Sequence, residues 1–170
     1  MDEVIGVDMG KVLSLDDMSD RRAELLGAKR TLVFTNGCFD LLHLGHVRYL
    51  RQARALGDAL VIGLNSDASV HTIKGDDRPI LPDEERAEIL AALECVDYIV
   101  IFADPTAERL VARLKPEVYV KGGDYTLDEL PEAKIVMGYG GKVIILPLVP
   151  GHSTTRIIER ILSSYGGKQA

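Results

Sequence analysis

The chain has 170 residues and a mass of 18.6 kDa, which fits one domain and excludes a fusion of two enzymes. A hydrophobic content of 46%, a charged content of 27% and a mean hydropathy of +0.07 are typical of a globular protein with an aliphatic core. The net charge of −6 offers no basic surface for nucleic acid or an anionic membrane, so cations for an anionic ligand must be placed locally. The two cysteines, Cys38 and Cys95, form no disulfide framework, and no basic leader or apolar span is visible, so we expect a cytoplasmic protein.

Short aliphatic runs alternate along the chain with amphipathic stretches, which is the pattern of βα units. The runs lack a clear inward and outward alternation, as expected of parallel strands that are covered on both faces. The sequence therefore predicts an α/β fold with a five-stranded parallel sheet. The predicted strands are residues 32–35, 60–64, 98–102, 118–120 and 143–146.

Helices are predicted between these strands and at both ends of the chain. The predicted helices are residues 16–26, 47–56, 83–93, 106–114, 132–137 and 154–162. We divide the chain into an N-terminal extension with one helix (1–30), a single α/β domain (31–162) and a flexible tail (163–170).

Unusual polar residues follow the predicted strands, at the edge where open parallel sheets bind their ligands. The first such segment runs Asn36-Gly37-Cys38-Phe39-Asp40 and reaches His43-Leu44-Gly45-His46 at a helix entry. Two imidazoles three residues apart, beside free helix N–H groups, suit a polyphosphate. The alternatives are histidines bound by loop carbonyls, and a zinc site, for which two ligands are too few.

The last predicted helix opens with Ser153-Thr154-Thr155-Arg156. Hydroxyl groups are common helix caps, but three in a row with an arginine exceed what a cap requires. Together with the helix N-terminus they would bind the β- and γ-phosphates of a nucleotide.

Two further cations have both a structural and a functional interpretation. Arg86 shares a helix face with apolar residues, so it forms an internal ion pair, for instance with Asp83, or contacts a ligand. Lys74 lies in a predicted loop after the second strand, where it is either solvated or closes over phosphates.

These residues resemble the H-x-G-H nucleotidyltransferases, a cytidylyltransferase-like superfamily with a Rossmann-like, doubly wound fold and helices on both faces of the sheet. Within it, the chain looks like the adenylyltransferase domain that acts on D-glycero-β-D-manno-heptose 1-phosphate. The resemblance covers residues 31–162. It rests on five blocks: residues 36–46, 65–69, 74–79, 121–125 and 153–155.

The resemblance implies transfer of AMP from ATP to the heptose 1-phosphate, with magnesium on the triphosphate and no metal held by the protein alone. It implies catalytic roles for His43, His46 and Lys74. The implied nucleotide-binding residues are Asn36, Gly37, Cys38, Phe39, Gly45, His46, Gly122, Asp124, Ser153, Thr154 and Thr155. The implied substrate-binding residues are Asp40, Asn65, Lys74, Arg86 and Lys121.

The implied partners are ATP, a sugar 1-phosphate and a second copy in a homodimer. In many members the domain follows a sugar kinase in one chain, so a separate kinase is expected here. Glycerol-3-phosphate cytidylyltransferase is the nearest competitor, but residues 148–151 and 121–125 depart from its pattern. A nucleotide-binding sensor without transfer activity stays open.

Overall fold

The computed structural model describes residues 10–166 and shows alternating strands and helices over that range. The strands are Leu32–Gly37 (β1), Ala59–Asn65 (β2), Tyr98–Phe102 (β3), Val118–Gly122 (β4) and Lys142–Leu146 (β5). The helices are Leu15–Gly27 (α1), Leu44–Arg54 (α2), Asp67–Lys74 (α3), Asp83–Ala91 (α4), Glu108–Leu114 (α5), Pro131–Gly138 (α6) and Thr154–Tyr165 (α7), with a 3₁₀ turn at Leu127–Glu129.

The five strands form one parallel sheet in the order β3-β2-β1-β4-β5, which confirms the predicted fold. The chain builds outward from β1 to β3 and then returns to add β4 and β5 on the other side of β1. The strand order therefore reverses between β1 and β4, and the crevice beyond their carboxyl ends is the expected ligand position.

The sheet is covered on both faces by separate hydrophobic clusters. Phe34 and Val61 pack in one cluster with residues of α1, α5 and α6, whereas Val33 and Ile62 pack in the other with residues of α2 and α4. Successive strand residues point to opposite faces, so a doubly covered sheet needs apolar residues at every position. This explains why β2 is buried throughout.

The N-terminal segment packs as part of the same unit. Met18 is fully buried against the α5 side of the sheet, and the Arg22 guanidinium binds Glu117 and the carbonyls of Leu114 and Lys115. Before α1, Val12 forms a parallel bridge to Ile99 of β3.

Helix α3 is the main element that the sequence interpretation missed, and it changes the place of Lys74. The helix has only eight residues and buries only Ser69 and Val70, so its pattern is too short to distinguish from a loop. Ser66 caps it by accepting a hydrogen bond from the Ser69 amide. Lys74 is therefore the last residue of a helix and not part of a loop, which corrects the prediction.

The largest differences between predicted and observed helix boundaries are at the start of α2 and the end of α7. Helix α2 starts at Leu44 because His43 caps it, three residues before the predicted start. Helix α7 continues to Tyr165, so the predicted flexible tail begins inside a helix; residues 167–170 of that tail lie outside the described range. Within residues 10–166, no helix has the length and apolar character needed to cross a membrane.

Replacing Met18 with alanine should lower the free energy of unfolding by about 2–4 kcal/mol, because it leaves a cavity between α1 and the sheet. Leu26→Ala on the same helix is the control, since Leu26 is 53% exposed and its loss should cost under about 1 kcal/mol. Urea denaturation measures both. Equal, small losses would mean that α1 is not part of the core.

Candidate active site

A cleft of about 720 Å³ lies at the carboxyl ends of the strands. It is lined by the segments that follow β1, β2, β3, β4 and β5, and so spans the position where the strand order reverses. Most of the predicted site residues line it: Asn36, Gly37, Cys38, Phe39, Asp40, His43, Gly45, His46, Asn65, Lys74, Lys121, Gly122, Ser153, Thr154 and Thr155. Arg86 and Asp124 do not; Asp124 is exposed, and its predicted nucleotide contact stays a prediction.

The two histidines are fixed by a reciprocal cap at the start of α2. His43 Nδ1 accepts a hydrogen bond from the Gly45 amide at 3.1 Å, and His46 Nδ1 accepts one from the His43 amide at 3.4 Å. The rings stack with their centroids 3.9 Å apart. Because each Nδ1 is an acceptor, the proton of each neutral ring lies on Nε2, which leaves that atom as a donor.

Both imidazoles are held in the neutral form. Burial lowers the pKa of His46 to about 4, and the neighbouring His43 acts in the same sense. Burial also lowers the pKa of His43, with His152 adding to the effect. At neutral pH the pair therefore offers two uncharged N–H donors.

Gly45 is required by close packing at this cap. A Cβ at residue 45 would lie 2.8 Å from the His43 ring and 3.3 Å from the Cβ of His152. The side chain of His152, whose role the sequence left undefined, lines the cleft in the loop before α7.

The N-terminus of α7 reaches the cleft through Ser153, Thr154 and Thr155. Ser153 Oγ accepts the Arg156 amide as the helix cap, and Thr154 Oγ1 donates to the Asp40 carbonyl at 2.8 Å. The Arg156 side chain is exposed and does not line the cleft, so the structure does not place it with the hydroxyl groups as predicted.

Asp40 is buried, and both oxygens of its carboxylate accept hydrogen bonds from protein groups. One oxygen accepts Arg78 Nε and the Ile80 amide, each at 2.8 Å, and the other accepts the Leu81 amide at 3.1 Å. Burial would raise the pKa of Asp40, but these hydrogen bonds and the Arg78 charge outweigh it and lower the pKa. The carboxylate holds the 78–81 segment against the histidine loop, and its predicted substrate contact stays a prediction.

Arg86 likewise has a structural role. It is only 1% exposed, and its guanidinium donates to the carbonyls of Cys38, Asn65 and Leu81 and to the Asp67 carboxylate. The internal ion pair is formed with Asp67 in place of Asp83, and the predicted substrate contact stays a prediction. Arg86 thus joins the loops that follow β1 and β2.

Lys121 and Asn36 line the cleft and are hydrogen-bonded to each other, and Asn36 also binds Tyr119. Lys121 Nζ lies 3.3 Å from the Asn36 carbonyl and 3.4 Å from its side-chain oxygen, which also accepts the Tyr119 hydroxyl at 2.9 Å. Burial lowers the pKa of Lys121, while the nearby Glu132 acts in the opposite sense. A partly desolvated ammonium group of this kind is well suited to bind an anion.

Sequence reasoning missed Tyr49, Arg78 and Glu132, which all line the cleft. The Tyr49 hydroxyl bonds Thr35 at 2.6 Å and the Val120 carbonyl at 3.1 Å, which fixes α2 against β1 and β4. Its position three residues after His46, on the same helix face, was a usable signal. No sequence spacing to the histidines marked Arg78 and Glu132 as cleft residues, because both lie on segments that are distant from the histidines in the chain.

No group of three or more histidine, cysteine, aspartate or glutamate side chains within residues 10–166 is arranged to hold a metal ion. Two of the cleft-lining carboxylates already have donors, Asp40 as above and Glu129 from the Thr126 amide and hydroxyl.

Comparison with known proteins agrees with this geometry. Residues 34–160 match the family described as cytidylyltransferase-like, and the chain belongs to that family. Among curated relatives, it is 53% identical over 92% of its length to the bifunctional protein HldE of Geobacter sulfurreducens. It is 57% identical over 80% of its length to the bifunctional protein HldE of Syntrophotalea carbinolica. The chain covers 32% and 28% of these two proteins, so it spans about a third of their length.

Two solved structures share the fold. One is a lipopolysaccharide core biosynthesis protein from Thermoplasma volcanium, with 29% identity and a TM-score of 0.59 over 71% of this chain and 97% of that one. The other is a pantoate-beta-alanine ligase from Francisella tularensis, with 15% identity and a TM-score of 0.59 over 89% of this chain and 77% of that one, a likeness of fold alone.

The depressed pKa of His46 predicts a pH dependence of stability. An unfolded imidazole gains its proton near pH 6.5 and the folded one only near pH 4, so stability is fully present above pH 6.5 and falls as the pH drops toward 4. Relative to His46→Gln, the wild-type protein should lose on the order of 2 kcal/mol across that window. Urea denaturation at several pH values measures this, and parallel curves for the two proteins would contradict it.

Proposed function

We propose that the protein transfers AMP from MgATP to a sugar 1-phosphate, D-glycero-β-D-manno-heptose 1-phosphate, and releases pyrophosphate. The observation that carries the proposal is the capped histidine pair, whose Nε2–H donors lie in one cleft with the N-terminus of α7. A cleft that contains two helix N-termini and neutral donors is built for a polyphosphate. The names of the relatives, bifunctional protein HldE and a lipopolysaccharide core biosynthesis protein, support a role in making a cell-envelope sugar.

The nucleotide phosphates would lie between α2 and α7. His43 and His46 would donate to the α- and β-phosphates, with His46 nearest the reacting phosphorus. Ser153, Thr154 and Thr155 would hold the outgoing pyrophosphate. These groups are fixed before the substrate binds, because the histidines cap α2 and Thr154 is bound to Asp40, and such preorganisation favours the charge that develops in the transition state.

Magnesium would enter as MgATP, held by phosphate oxygens and water. The donor set of the cleft fits this arrangement, since both Asp40 oxygens already accept protein donors and a nucleotide-borne ion needs no protein cage. The ion would neutralise charge on the triphosphate.

The acceptor phosphate would approach from the side of Lys74 and Arg78. Arg78 is anchored to Asp40 through Nε, and within the described residues its two Nη groups donate to no protein atom. An acceptor phosphate oxygen would attack the α-phosphorus in line, forming a P–O bond as the bond to the bridging oxygen of pyrophosphate breaks. The attacking phosphate is already anionic, so catalysis needs positioning and charge stabilisation but no protein nucleophile.

The homodimer, the upstream sugar kinase and the cytoplasmic location belong to the same proposal. The reaction consumes a sugar 1-phosphate, so a kinase acting on the free or phosphorylated sugar must supply it. ATP and such intermediates meet in the cytoplasm.

The test is a matrix of nucleoside triphosphates against phosphorylated acceptors, read by pyrophosphate release. We expect release with ATP and the heptose 1-phosphate. Release only with CTP and glycerol 3-phosphate would favour the cytidylyltransferase alternative. Nucleotide binding without release for any acceptor would favour the sensor.

His46→Ala should lower turnover at least about 100-fold, which is the usual cost of losing one transition-state donor. His71→Ala is the matched control, because His71 is an exposed histidine of α3 outside the cleft. Thermal unfolding verifies that both variants fold. Near wild-type turnover in His46→Ala would remove His46 from the mechanism.

A further inference from the structure

His152 is a cleft histidine to which the mechanism above gives no role. Three of the four histidines of the chain line the cleft: His43, His46 and His152. The first two use their Nδ1 atoms to cap α2. The imidazole of His152 is exposed, and among residues 10–166 it has no hydrogen-bond partner. An imidazole carries at least one N–H donor in either protonation state, so this side chain can donate to a ligand.

The loop before α7 fixes the backbone of His152. Gly151 has a φ of +80°, a left-handed conformation that favours glycine and turns the chain. The His152 amide donates to the Val149 carbonyl at 3.4 Å, and the next residue, Ser153, caps α7 by accepting the Arg156 amide. The backbone is therefore held on both sides of His152 before a ligand binds.

The side chain of His152 lies beside the capped histidine pair. A Cβ placed on Gly45 would be 2.8 Å from Cε1 of His43 and 3.3 Å from Cβ of His152, so both side chains adjoin the backbone of Gly45. Burial lowers the pKa of His43 and the nearby His152 adds to that effect, which agrees with this geometry. His152 thus adjoins the N-terminus of α2 as well as that of α7.

The neighbouring backbone amides of α7 favour a phosphate group as the ligand. Thr154 and Thr155 are the first two residues of α7, and helix geometry gives their amides no partner within the helix. Such amides, together with the partial positive charge of a helix N-terminus, attract phosphate oxygens. A donor one residue before the cap can bind a further oxygen of the same group.

We propose that His152 binds the terminal phosphates of the nucleotide and so helps to hold the pyrophosphate that leaves. The inference rests on the proposed function and deepens it, because Ser153, Thr154 and Thr155 are already assigned to the pyrophosphate there. The alternative contact is stacking of the imidazole on the base. AMP separates the two, since it has the base without the terminal phosphates.

The experiment measures affinities by isothermal titration calorimetry, without acceptor, for MgATP, magnesium pyrophosphate and AMP. The variants are His152→Phe, which keeps an aromatic ring but has no donor, and His152→Gln, which keeps an N–H donor but has no ring. His71→Phe is the matched control, because His71 is an exposed histidine of α3 outside the cleft. These affinities do not depend on whether transfer occurs.

We expect His152→Phe to weaken the binding of MgATP and pyrophosphate roughly 10-fold, the lower end of what a hydrogen bond to a charged group contributes. Its affinity for AMP should stay within about twofold of wild type, which also shows that the cleft is folded. His152→Gln should recover most of the loss because it keeps a donor, and His71→Phe should behave as wild type.

Two results would overturn the inference. Unchanged affinities of His152→Phe for MgATP and pyrophosphate would leave His152 a solvated loop residue. Equal losses for ATP and AMP in His152→Gln, with none in His152→Phe, would assign the ring to the base. If His152→Phe does not fold, His152→Ala also lacks a donor and repeats the test.

The proposed function can fail separately from this inference. The expected pattern of affinities without pyrophosphate release for any acceptor would confirm the contact of His152 and remove the transfer reaction. Release with an unchanged affinity of His152→Phe for MgATP would remove only the inference. A wild-type protein that binds no MgATP would contradict both.

Discussion

The hydrogen bonds of Asp40 join three elements that line the cleft at one buried residue. Its carboxylate holds the 78–81 segment, its carbonyl accepts Thr154 at the start of α7, and its own backbone leads into the histidine cap. The carboxylate side chain is fully buried, so removing any donor would leave charge unsatisfied. The three elements are therefore constrained together, which keeps donors on separate loops in a fixed relation to one another.

Arg86 makes the matching connection on the other side of β1. By donating to carbonyls after β1 and β2, it satisfies backbone groups that leave the sheet ladder at the strand ends. Its ion pair with Asp67 at the start of α3 fixes the helix that carries Lys74. Two buried charged residues thus hold together the segments that line the cleft.

The sequence predicted the sheet well because β2 and its neighbours consist of uninterrupted apolar runs, a pattern set by local burial. It also placed His43, His46 and Ser153–Thr155 at the correct edge, because parallel strands bring their carboxyl ends together. The roles of Asp40 and Arg86 depend on distant hydrogen-bond partners, Arg78 at 38 residues from Asp40 and the Cys38 carbonyl at 48 residues from Arg86, and no local spacing encodes such contacts. Helix α3 was missed because it has only eight residues and only two buried positions, which is too short a pattern to distinguish from a loop.

The net charge of −6 and the proposed binding of an anion in the cleft are compatible because much of the cleft offers neutral donors. The histidines stay uncharged at neutral pH, and hydroxyl groups and helix amides contribute only partial charges. Full positive charges come from Lys74, Arg78 and Lys121. Donors without full charge can bind a developing charge at fixed geometry and yet release an anionic product, because they do not form strong ion pairs with it.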